Sequence, residues 1–121
     1  MELKEELEKK LITINKFPGV LASLIIRKDG LCLAFLSNED KINKDIAVSV
    51  ASVFNIFEQT AEELKTEPLN YLLIKSQNNN LFFIEVSKDI ILVLILDISA
   101  EINKIYEESI KITQKIIEIL S

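Results

Sequence analysis

The chain has 121 residues, with 14 basic and 19 acidic side chains for a formal net charge of −5, and 49% of its positions are hydrophobic. It holds no His, one Cys and two Gly, which excludes Ser-His-Asp and Cys-His catalysis, the usual His/Cys zinc sets, and the Walker A and Gly-x-Gly-x-x-Gly phosphate loops. The acidic balance, with no Lys/Arg cluster, argues against nucleic acid or anionic lipid as a partner.

Along the chain, Leu3, Leu7, Leu11 and Ile14 recur at helical spacing among Glu and Lys, so residues 2–15 form an amphipathic helix. Phe17-Pro18-Gly19 ends it, because the residue before Pro avoids helical angles and Gly tolerates the turn. Residues 20–27 and 31–36 are apolar runs joined by Lys28-Asp29-Gly30, a hairpin signature. Residues 38–40 offer a cap for a long helix over about 43–64, and Pro68 bars its continuation. Three short runs follow at 69–75, 81–86 and 90–96, punctuated by polar turns, and together they read as a meander. The last of these has no polar residue on either face, so it is expected at the centre of a sheet covered on both sides. A final helix over 99–120 carries Ile102, Ile105, Ile112, Ile116 and Ile119, supplemented by Tyr106, Ile110, Ile117 and Leu120, a stripe wide enough to touch the first helix as well as the sheet.

These elements predict one three-layer α+β domain over residues 1–121, with the middle helix on one sheet face and the terminal helices on the other. The longest apolar run, 90–96, is far shorter than the roughly 20 residues a membrane helix needs. The charged start lacks the apolar core of a signal peptide, and Cys32 has no internal partner, so a cytoplasmic setting without membrane insertion is expected.

The middle helix carries the functional signal. Between Asp45 and Glu58 it has twelve consecutive positions without a charge. At about 100° per residue, Ile46, Val50, Val53, Phe54, Phe57, Ala61 and Leu64 share one arc, expected to cover the sheet. The opposite arc holds Val48, Ala51, Ser52, Asn55 and Gln59, with Ile56 at its margin. A solvated face normally displays Lys and Glu, so this small, uncharged arc points to contact with another polypeptide.

The remaining candidates read as structural. Glu85, Asp89 and Asp97 lie in or beside strands, where carboxylates are ordinarily solvated. Cys32 reads as a small hydrophobe, and Asn78-Asn79-Asn80 as a turn. Arg27, the sole arginine, reads as a hairpin or strand-end residue rather than an arginine finger. No catalytic, cofactor or metal site is expected.

Phe17-Pro18-Gly19-Val20, followed by Leu24-Ile25-Ile26-Arg27-Lys28-Asp29-Gly30-Leu31, resembles the opening of the roadblock/dynein light chain family, and the element order matches along essentially the whole chain. The resemblance implies a five-stranded antiparallel sheet in the order 2-1-5-4-3. It implies homodimers in which middle helices pair and third strands join, which maps here to Val48, Ala51, Ser52, Asn55, Ile56 and Gln59 and to the edge bearing Tyr71 and Leu73. It also implies a non-enzymatic regulator or scaffold for a small Ras-like GTPase in a prokaryotic cytoplasm. A light-chain-like adaptor without GTPase contact is the alternative, and a small-ligand sensor the third reading.

Overall fold

A computed structural model describes residues 2–121. Helix α1 spans Leu3–Asn15, strands β1 and β2 Val20–Arg27 and Cys32–Ser37, helix α2 Ala47–Glu63, strands β3, β4 and β5 Leu72–Lys75, Asn79–Glu85 and Ile90–Asp97, and helix α3 Ile102–Leu120. The strands form one antiparallel sheet in the order β2-β1-β5-β4-β3. β5 is central and buried from Ile90 to Leu96, as a strand without polar residues requires.

Alternation along the strands splits the core in two. On one face Ile25, Ile84, Leu92 and Leu94 meet Leu7, Leu11 and Ile14 of α1 and Ile105, Ile112 and Ile116 of α3. Helices α1 and α3 also touch each other, which accounts for the width of the α3 stripe. On the other face Leu24, Ile26, Phe83 and Val93 meet α2 alone. A buried hydroxyl ties α1 to the sheet: Ser23 Oγ donates to Asn15 Oδ1 at 2.5 Å, and Asn15 Nδ2 donates to the Leu36 carbonyl at 3.0 Å.

The start of the α2 segment differs from expectation, whereas its end falls within a residue of the expected one. Asn43, not residues 38–40, is the cap: its side chain accepts from the Asp45 N–H at 2.8 Å and opens a 3-10 turn, Lys44–Ile46, that leads into α2. Asn38 instead donates to the carbonyls of Asn15 and Val20. At the far end Lys65 adopts a left-handed φ of 57°, and Thr66 N–H returns to the Ala61 carbonyl at 2.8 Å. The helix therefore closes by its own C-terminal geometry before Pro68 is reached. β3 is shorter than its apolar run, pairing with β4 only from Leu72, and just before it the Tyr71 ring packs on Phe82 and Tyr106 with centroids 5.0 and 4.9 Å away.

The turn between α1 and β1 requires glycine for two reasons. Gly19 has φ +91°, and a Cβ there would lie 2.6 Å from Ala100 Cβ. Gly19→Ala is expected to cost about 2 kcal/mol, from the left-handed backbone and the enforced retreat of Ala100. A chemical denaturation curve with an unshifted midpoint would contradict this.

Candidate functional site

Helix α2 rests on the sheet through Ala47, Val50, Ala51, Phe54 and Ala61. Three of these five are alanines, which bring the backbone close to the sheet, and Phe54 stacks on Phe83 with centroids 6.1 Å apart. The sheet-facing arc is thus turned by about 60° from the expected one at 100° per residue. Ala51, expected on the open side, is 2% exposed and belongs to the core. Conversely Phe57 and Leu64, expected against the sheet, are 45% and 68% exposed. The expectation assigned the bulkiest side chains to the sheet, whereas close helix-to-sheet approach selects the smallest. The alanine spacing at 47, 51 and 61, with Phe54 between, is the signal that would have oriented the helix.

The remaining surface of α2 has two flanks. One faces the β1–β2 hairpin, where Gly30 abuts Val48 and Asn55 Nδ2 donates to the Lys28 carbonyl at 2.8 Å. The other carries Val53, Ile56, Phe57 and Leu64, with Ser49 and Thr60 between them. Ser52 and Gln59 lie exposed between the flanks. Val53 is half-buried against the same core cluster on which Leu72 and Ile74 of β3 and Leu81 of β4 pack. Ile56 is 62% exposed.

β3 forms one edge of the sheet. Ser76 N–H donates to the Asn79 carbonyl to close the β3–β4 hairpin, and the alternation of the antiparallel ladder then aims the backbone groups of Leu73 and Lys75 away from β4. Leu73 lies half-buried on the α1–α3 face, and Tyr71 is held there by Tyr106. Exposed apolar side chains on α2 are thus Val48, Ile56, Phe57 and Leu64, β3 leaves one strand edge open, and Ala51 is buried rather than on the open side.

The other candidates are engaged locally. Arg27 binds Asp29 through Nε at 3.0 Å and Nη2 at 2.5 Å, and this pairing raises the guanidinium pKa further and holds the Asp29 carboxyl below its usual range. Burial pushes the half-buried Cys32 thiol up, which disfavours a thiolate. Asp97 accepts from the Ser99 hydroxyl and N–H, which lower its carboxyl pKa. A cleft between Phe17, Gly19, Ile105 and Glu108 has a volume of about 140 Å³, below the roughly 300 Å³ at which ligand pockets usually begin. Among the described residues no group of three or more His, Cys, Asp or Glu side chains is placed to hold a metal ion, and no helix is long and apolar enough to cross a membrane.

The sequence profile of the Roadblock/LC7 domain matches residues 6–96. Among curated proteins none matches the chain by sequence. Solved structures match it throughout. Myxococcus xanthus MglB superposes with a TM-score of 0.87 at 13% identity, covering 95% of this chain and 94% of its own. The gliding protein MglB of Thermus thermophilus gives 0.84 at 18% identity, covering 98% and 91%. An MglB structure described as a tetrameric arrangement gives 0.84 at 18% identity, covering 98% and 90%.

Proposed function

The chain belongs to the Roadblock/LC7 domain family, and from that premise we propose that it is a homodimeric, non-enzymatic regulator or scaffold for a small Ras-like GTPase. The observation that carries the reading is the exposed apolar flank of α2 together with the open β3 edge. An isolated copy would leave Ile56, Phe57 and Leu64 in water and the outward backbone groups of β3 without protein partners. A second copy related by a two-fold axis pairs the helices side by side and joins the edges into one sheet. The tetrameric arrangement of a related MglB supports self-association on this scaffold.

The GTPase then sits across the paired helices, on a surface that includes Ser52 and Gln59. Arg27 is held by Asp29 in its own hairpin, which fits a regulator that positions the GTPase's own groups without inserting an arginine. Light scattering on the purified chain, repeated with co-resident small GTPases loaded with GDP or a GTP analogue, tests the proposal. The expected result is a dimer that gains GTPase mass in one nucleotide state. A monomer refutes the pairing, and a dimer that binds no such GTPase in either state refutes the partner. A pull-down dominated by other proteins would then favour the adaptor reading.

A further inference from the structure

Lys28 joins four parts of the fold. From its place in the β1–β2 hairpin, its N–H donates to the Asp89 carbonyl at 2.9 Å and its own carbonyl accepts from Asn55 of α2. Its ammonium donates to both Glu58 carboxylate oxygens at 3.1 and 2.9 Å and to Glu85 Oε2 of β4 at 2.7 Å, and it lies 5.4 Å from the centre of the Phe54 ring. The Lys28 side chain is 17% exposed while those of Glu58 and Glu85 are 35% and 36% exposed, so these pairs are partly shielded from water and salt. Phe54, Asn55 and Glu58 all belong to α2, whereas Ser52 and Thr60 spend their hydroxyls on carbonyls of their own helix.

We propose that Lys28 is a positioning residue that sets the rotation of α2 over the sheet, and with it the presentation of the apolar flank, by holding its charge between Glu58 and Glu85. The inference rests on the reading of that flank as a contact surface.

The charges around the junction fix how removal of Lys28 would act. Arg27 and Asp29 of the hairpin satisfy each other, Asp89 in the β4–β5 turn acts on Arg27, and exposed Glu62 lies one turn beyond Glu58. Without the ammonium, the side-chain tie from α2 to the hairpin is lost, Glu58 and Glu85 face each other with no cation between them, and repulsion pushes α2 away from β4. Burial is the largest single influence on the Glu85 carboxyl and would raise its pKa, but the hydrogen bonds to Lys28 and Glu58 and the Lys28 charge together outweigh it and hold the value below the usual range. In the native chain the stabilisation is therefore complete above the ordinary carboxylate pKa and is lost only as pH falls through the lower folded value. Removing the cation reverses this slope, because protonating either carboxyl relieves the repulsion.

Hydrogen exchange, expressed as protection factors for residues 50–61, tests the inference on the intact chain. Lys28→Met keeps an unbranched aliphatic stem without the charge and is expected to lose about tenfold in α2 protection near pH 7, recovering part of it near pH 5. The native chain holds its protection at both. Lys28→Arg, which keeps the charge, and the triple variant Lys28→Met/Glu58→Gln/Glu85→Gln, which removes the repulsion, are expected to stay protected. They decide the matter even where Lys28→Met fails to fold. Unchanged protection in Lys28→Met, a loss insensitive to pH, or no rescue in the triple variant would overturn the proposal. Light scattering on the native chain reads the flank separately: a monomer removes the contact surface and leaves the exchange result for Lys28 standing.

Discussion

Arginine in place of Ala51 is expected to unfold the domain rather than to dissociate an assembly. The Ala51 side chain is 2% exposed, in the cluster formed by Leu24, Ile26, Phe54 and Phe83. The surrounding interior is close-packed, so a long side chain enters only by lifting α2 off the sheet. The guanidinium would also arrive without a described carboxylate in that cluster, and a buried unpaired charge costs several kcal/mol in its own right. Together the two effects exceed about 4 kcal/mol, a large share of the roughly 5–15 kcal/mol that holds a native domain together. For a chain of this length, that should lower the thermal midpoint by more than about 15 °C or abolish the cooperative transition. Circular dichroism during a melt reads the outcome. A midpoint within a few degrees of the native value would mean that position 51 faces outward and that α2 is turned differently on the sheet.

The residues that were legible in the sequence are those whose apolar pattern admits one placement: on one side of a helix, or on both faces of a strand. β5 declared itself by lacking polar residues, and α1 by its clean leucine spacing; both lie where periodicity put them. Gly19 and Gly30 marked turns because both need positive φ. The rotation of α2 was not legible from hydrophobicity, because that helix has apolar residues on two sides: a core side rich in alanine and an outer flank rich in larger side chains. A periodicity argument that weighs size as affinity for the core takes the second for the first. Register within the β1–β2 hairpin was hidden for a different reason. An irregularity between Ile25 and Ile26 shifts the pairing from Ile25–Ala34 to Ile26–Cys32 and leaves Leu33 of β2 as an extra residue. The Lys28 junction depends on Glu58 and Glu85, 30 and 57 positions away in the chain, and no local pattern announces a contact of that range.

The outer flank of α2 yields the second large effect. Ile56→Glu combined with Phe57→Glu is expected to leave the fold intact and to convert the proposed dimer to a monomer. Both side chains are substantially exposed within one copy, 62% and 45%, so neither substitution opens a cavity in the domain. In a two-fold assembly each change occurs twice, and four apolar side chains leave the contact together. Burying such a side chain is worth roughly 1.5–3 kcal/mol, and bringing glutamates into an apolar seam adds their desolvation and mutual repulsion. Even if only half of that burial is realised, the dissociation constant rises by more than about 100-fold. Sedimentation across a concentration series measures it, with a melt to verify that the subunit remains folded. Leu3→Glu combined with Ile12→Glu serves as a matched control: the two side chains are 47% and 46% exposed on α1 in the opposite layer, so the same charge is added at similar exposure and the mass should not change. Equal dissociation in the control and the double variant would assign the effect to net charge instead of the α2 flank. A double variant that still sediments as a dimer would move the contact to the β3 edge alone or to another face.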